Sequence, residues 1–142
     1  MKLFGNRSSG EVLESQEVTA MALAKVFKDA FMDVTVESDG DLKIKDVYNA
    51  FVSTDEKSRF IRFRVLIRCS ETADDGARLK YTNSVNTEFI VVRATDRKSA
   101  IVYDYYLIIE GGVTKKNIVL TFRKFMPCVG SAVAADSTGV LA

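Results

Sequence analysis

The chain contains no histidine, one proline and two cysteines, and no run approaches the about 18 uninterrupted apolar residues of a membrane span. Without histidine, Ser-His-Asp and Cys-His catalysis, histidine-bearing zinc sites and the ordinary near-neutral proton shuttle are excluded. Cys69 and Cys128 lie far apart and lack C-x-x-C spacing, so they assemble neither a redox motif nor a zinc site within this chain. They read as buried thiols, and no cofactor or metal is expected. The opening Met1-Lys2-Leu3-Phe4-Gly5 lacks the apolar stretch of a secretory signal. The sequence therefore predicts a soluble cytoplasmic protein with no membrane contact.

What is present suffices for one core. At 142 residues, 47% apolar and 27% charged, the chain matches a single domain and not a disordered or collagen-like one. A chain of this size buries roughly 68–70% of its unfolded surface, so it needs neither staples nor a structural metal. Twenty Lys and Arg against nineteen Asp and Glu leave a net charge of +1, so any attraction to a charged partner is local.

Residues 1–14, rich in Ser, Gly and charge, read as a flexible leader, residues 15–129 as one α+β domain, and residues 130–142 as a flexible tail. Ala20, Leu23, Ala24, Phe27 and Phe31 recur at helical spacing, predicting a first helix of about four turns capped by Ser15 or Thr19. Val34 to Glu37 and Asp41 to Ile44 flank the turn Ser38-Asp39-Gly40. A three-residue loop sets Val36 opposite Leu42 and Val34 opposite Ile44 with Gly40 left-handed, whereas a two-residue loop mixes the faces. A third strand is expected around Tyr48 to Ser53. The longest follows at Arg59 to Cys69, where Ile61, Phe63, Val65, Ile67 and Cys69 oppose Arg62, Arg64 and Arg68. Residues 71–86 predict a second helix with Ala73, Ala77, Leu79 and Val85 as its apolar positions, weakened by Gly76. Thr87 to Ala94 and Ala100 to Ile109 predict a hairpin. Thr114 then caps a last helix whose buried stripe is Ile118, Thr121, Phe122, Phe125 and Val129, with Pro127 near its end.

The order α-β-β-β-α-β-β-α fits an antiparallel sheet with helices mainly on one face, hence α+β. Val18-Thr19-Ala20 opens the first helix, Asp39-Gly40-Asp41 forms an acidic turn, and Ile61-Arg62-Phe63 lies in the long strand. Val85-Asn86 closes the second helix, and Glu110-Gly111-Gly112-Val113 precedes the third. With these features, residues 17–129 resemble the YbjN-domain family of candidate bacterial sensory transduction regulators, whose fold resembles the class I chaperones of type III secretion. The resemblance implies a small, non-catalytic, dimeric regulator or chaperone-like module, with the central helix building the dimer interface.

Arg62, Arg64 and Arg68, with Lys57 and Arg59 nearby and no acid between Lys57 and Arg68, form a basic stripe. Such a stripe beside aromatics is able to stack bases or grip phosphate. The competing reading is a salt-bridged strand face neutralised by Glu88 and Asp104, and the balanced overall charge favours it. Nucleic acid is therefore not the expected partner. Gly112, Thr114 and Lys115 place backbone N–H groups and a lysine at a helix start, a geometry that attracts anions, without Walker A spacing. Asp39-Gly40-Asp41 lacks the further ligands of a calcium loop, and the neighbours Asp74-Asp75 and Asp55-Glu56 point in different directions. No acid/base pair converges, and no enzyme is expected.

The last two strands carry apolar side chains at both parities, including Tyr103, Tyr105 and Tyr106, so both of their faces require cover. The first and third helices shield one side only; the second helix, a second copy or a client chain has to shield the other. The sequence thus predicts a non-enzymatic protein-binding module, regulatory or chaperone-like. It acts through a sheet face bearing Arg62, Arg64, Arg68, Tyr103, Tyr105 and Tyr106, and through the second helix. The alternatives are a nucleic-acid-binding sheet using the arginine stripe, and an enzyme with an Asp, Glu, Lys or Tyr acid/base site.

Overall fold

The computed structural model describes residues 11–142; the rest of the predicted leader lies outside the described residues. In chain order the elements are β1 (Val12–Leu13), α1 (Ala20–Asp29), β2 (Asp33–Val36), β3 (Leu42–Lys45), β4 (Asn49–Thr54) and β5 (Phe60–Arg68). They continue with α2 (Asp75–Glu88), β6 (Arg93–Asp96), β7 (Ala100–Ile108), β8 (Val113–Thr114) and α3 (Lys115–Ala134). Strands β2 to β7 form one antiparallel sheet in the order β2-β3-β4-β5-β7-β6, and β1 pairs with β8. Four strands of this sheet, β2 to β5, precede α2, one more than the condensed order contains.

The β2–β3 hairpin has the register that the apolar pattern selects: Val36 faces Leu42, Val34 faces Ile44, and Gly40 sits at φ +90°. Glu37 N–H donates to the Asp41 carbonyl (2.8 Å) and closes the three-residue loop. In α1, Thr19 is the cap, its Oγ1 accepting from Ala22 N–H (3.1 Å), while Ser15 opens a separate 3-10 turn. The helix has 10 residues, shorter than its spacing suggested. It ends in a Schellman turn, Met32 N–H donating to the Phe27 carbonyl and Phe31 N–H to that of Lys28, with Phe31 left-handed at φ +65°. Phe31, expected in the buried stripe, is therefore swung outward and 96% exposed.

Helix α2 starts at Asp74, whose carboxylate accepts from Ala77 N–H (2.7 Å). Its buried stripe is Arg78, Tyr81, Thr82 and Val85, and Leu79, expected inward, is exposed. The run 87–94 is not a strand. Thr87 and Glu88 complete α2, residues 89–92 connect, and β6 keeps four residues. Asn86 explains the change of course, since its side chain both accepts from Ala94 N–H (2.7 Å) and donates to the Ala94 carbonyl (3.0 Å). That pairing caps the outer edge of β6.

Thr114 caps α3 as its position suggested, accepting from Asn117 N–H (3.0 Å). The helix does not stop at Pro127. A proline forfeits one backbone donor, while Val129 and Ala132 beyond it are both fully buried and carry the helix to Ala134. Residues 130–142, read as a tail outside the domain, are instead part of it. Asp136 accepts from the N–H groups of Val140 (3.0 Å) and Leu141 (2.9 Å). The segment then lies against the end of β5, Ser70 N–H donating to the Val140 carbonyl (2.8 Å) and Ala142 N–H to that of Arg68 (2.9 Å). Val140 is fully buried.

All three helices pack on the same face of the sheet. Phe27 of α1 meets Phe122 of α3, and Phe63 of β5 meets Phe122 and Phe125. Helix α2 joins that layer through Tyr81, whose hydroxyl lies 2.6 Å from that of Tyr103 and donates to the Ala132 carbonyl (2.7 Å). Thus α2 does not shield the second face, and among the described residues nothing else does.

Candidate functional site

The uncovered face follows from the alternation of β5, β6 and β7. Ile61, Phe63 and Val65 point to the helices, so Phe60, Arg62, Arg64, Leu66 and Arg68 point away. The β5–β7 register sets Phe60 beside Ile108, Arg62 beside Tyr106, Arg64 beside Asp104 and Leu66 beside Val102. Leu66, Tyr106 and Ile108 are 48%, 41% and 65% exposed. These side chains form an aliphatic and aromatic patch interrupted by charge.

Asp104 is the organising residue of this face. It is 1% exposed on a side of the sheet that no helix covers, because two arginines close over it. Arg62 Nε and Nη2 donate to Oδ2 at 3.0 and 2.7 Å, and Arg93 Nε and Nη2 donate to Oδ1 and Oδ2, each at 2.9 Å. Both guanidinium carbons also lie over the Tyr106 ring, 5.5 and 5.6 Å from its centroid. The hydrogen bonds to Asp104 raise the Arg93 pKa above its ordinary value. Arg64, directly opposite Asp104 in the register, turns instead to Asp41 (3.4 Å) and covers Phe51. At the rim Arg59 binds Asp55 (2.7 Å), which lowers the Asp55 pKa, and lies over Phe60.

Of the predicted site residues, Arg62, Arg64, Arg68 and Tyr106 come together on this face. Within the stripe Asp104 pairs with Arg62 alone, while Arg64 pairs with Asp41; Glu88 takes no part, because it ends α2 and is not on a strand. Tyr103 is a correction: it is fully buried on the helix side, where burial and the Tyr81 hydroxyl raise its pKa. Tyr105 also points to the helix side and is half-buried against the core. A spacing of two positions keeps Tyr103 and Tyr105 on one face of the strand, so they could not share a surface with Tyr106. Arg93 was missed because its segment read as a continuous apolar strand.

The start of α3 is occupied by the chain itself. Lys115 N–H donates to the Glu11 carbonyl (2.8 Å), Thr114 Oγ1 holds Asn117 N–H, and Gly112 at φ +99° passes close to the Leu13 carbonyl. Gly112, Thr114 and Lys115 thus serve the β1–β8 pairing and the helix cap. A second surface lies on the helix side: a groove of about 810 Å³ between the end of α1, β3 and the middle of α3. Met32, Ile44, Tyr48, Phe122 and Met126 line it, with Phe31 and Val47 at its rim, the latter 83% exposed. Burial raises the Cys69 thiol pKa, and Cys128 is half-buried and unbridged. Among the described residues no three Cys, Asp or Glu side chains converge as metal ligands, and no helix is long and apolar enough to cross a membrane.

No protein-family model matches the sequence, and no curated protein matches it. Among solved structures, its fold is shared by the following two. YbjN from E. coli, a candidate transcription regulator, superposes with a TM-score of 0.72 at 15% identity, over 87% of this chain and 94% of that one. The Yersinia pestis type III secretion chaperone SycH, solved with a fragment of YscM2, superposes with a TM-score of 0.54 at 9% identity, over 82% of this chain and 98% of that one. The α+β fold with its antiparallel sheet and one-sided helical layer is therefore the YbjN-like, type III secretion chaperone-like fold that the residue patterns resembled.

Proposed function

We propose that this chain is a non-catalytic protein-binding module, regulatory or chaperone-like, whose docking surface is the uncovered face of its sheet. One observation carries the reading: Tyr106 and Ile108 stand exposed side by side on β7, and Leu66 of β5 is exposed on the same face beyond the Arg64–Asp104 pair, while all three helices occupy the opposite face. Exposed apolar side chains grouped on a sheet and rimmed by charge favour a macromolecular partner over solvent. The fold neighbours agree with this class, since SycH was solved with a protein fragment bound. The chain has no histidine, and among the described residues no acid/base pair converges, which supports a role without catalysis. A cytoplasmic setting belongs to the same proposal.

Site-specific photocrosslinking in the native host tests it. A crosslinking side chain at Leu66 or Ile108 is expected to trap one protein band that a probe at Leu79, exposed on α2, does not. Light scattering of the purified chain separates a second copy from a different partner. Probes at Leu66 and Ile108 that trap nothing beyond the Leu79 background would refute the sheet face as the docking surface.

A further inference from the structure

We infer that the docking face recognises an acidic segment of its protein partner, and that Arg62 and Arg93, pre-set by Asp104 and Tyr106, form the carboxylate receptor. The inference rests on the sheet face being the protein-binding surface and names the chemistry of the partner.

Charge on the two sides of the sheet is uneven. The strands present six basic residues on the uncovered face, Lys43, Lys45, Arg62, Arg64, Arg68 and Arg93, against two carboxylates, Asp33 and Asp104; with Arg59 and the acids Asp41 and Asp55 at its rim, seven bases meet four acids, an excess of three. The whole chain carries only +1, so the excess is local to this face. An isologous contact through the face would oppose like charges, which disfavours a second copy as the occupant.

The geometry of the clamp supplies the recognition. Each guanidinium spends its Nε and Nη2 on Asp104, and neither Nη1 has a partner among the described residues. The remaining edge of each fork keeps donors for a second, incoming carboxylate. The long side chains are already ordered by Asp104 and by the Tyr106 ring, so little entropy is lost on binding. A hollow of about 360 Å³ opens between Phe60, Arg62 and Tyr106, and Asp55 at its edge is held by Arg59. Leu66 and Ile108 flank the clamp with aliphatic surface.

Nucleic acid fits less well. Base stacking needs free aromatic faces, whereas Phe51, Phe60 and Tyr106 are each covered by an arginine of the chain itself.

Three probes decide the matter: a synthetic peptide of mixed Glu and Leu residues, the same peptide with Gln for Glu, and single-stranded oligo(dT). Fluorescence anisotropy gives affinities and NMR follows the Arg62 and Arg93 Nε–H signals. The Glu peptide is expected to bind, to shift both signals, and to weaken about tenfold with added salt or with Arg93→Gln. Arg93 is 59% exposed and Arg62 still holds Asp104 in this variant; circular dichroism checks that it folds, and Arg123→Gln on the helix side serves as the neutral control. Equal binding of the Gln peptide, tighter binding of oligo(dT), or no binding of any probe would each overturn the acidic-partner inference. If photocrosslinks at Leu66 and Ile108 persist in those cases, the protein-binding reading itself stands; if they are also absent, both fall.

Discussion

A hydroxyl has one proton, and that fixes the direction of the buried tyrosine relay. Tyr81 donates to the Ala132 carbonyl, which only accepts, so the 2.6 Å contact has Tyr103 donating to Tyr81. Tyr81→Phe therefore strands two groups, the Tyr103 proton and the Ala132 oxygen, and is expected to cost about 2 kcal/mol. Tyr103→Phe strands none and is expected to cost about half of that. Urea midpoints of the two variants check the order, and a milder Tyr81→Phe would reverse the assigned direction. The same pair gives a pH dependence. Both pKa values lie above the ordinary 10.0 because burial opposes the charged form. A raised folded-state pKa contributes stability that is present below pH 10 and is lost as pH rises past it, because the unfolded chain then releases protons the folded one retains. Tyrosinate absorbance is expected to show Tyr81 and Tyr103, of the five tyrosines, ionising only together with unfolding. Independent titration of all five before unfolding would contradict their burial.

At the scale of elements, the C-terminal segment shows most plainly what pattern reading misses. Asp136 is its one charged residue, and composition suggested a tail, yet Val140 fills a core position and the backbone pairs with Arg68 and Ser70. Val140→Ala is expected to lower stability by about 2 kcal/mol, the scale of a truncated buried aliphatic residue. A loss below about 0.5 kcal/mol in chemical denaturation would mean the segment is not part of the cooperative unit. The hairpin β2–β3 was legible to the residue because its register is dictated by which side chains must share a face. Helix α2 was legible only as a helix. Its inward stripe is Arg78, Tyr81, Thr82 and Val85, and Arg78 is accepted there because Asp75, Asp96 and the Ala73 carbonyl take its donors. A hydropathy pattern points to Leu79 instead, since it has no knowledge of hydrogen-bond partners.

Across the whole molecule, the apolar excess of the last strands divides in a way the one-dimensional pattern did not resolve. None of the run 89–92 enters the sheet, and Tyr103 and Tyr105 are shielded by the helices. The remainder, Tyr106 and Ile108, is left open together with Leu66 of β5 because α2 packs beside α3 and not behind the sheet. The sequence by itself determined the α+β class, the three helices, the β2–β3 hairpin, the caps Thr19 and Thr114, and the arginine stripe, because alternation, periodicity and capping are local rules. Only the tertiary structure decided which face of the sheet stays bare, that Asp104 with Arg93 tames the stripe, and that the last residues return to the core. Those outcomes depend on contacts between segments far apart in the chain, whose energies no local pattern encodes.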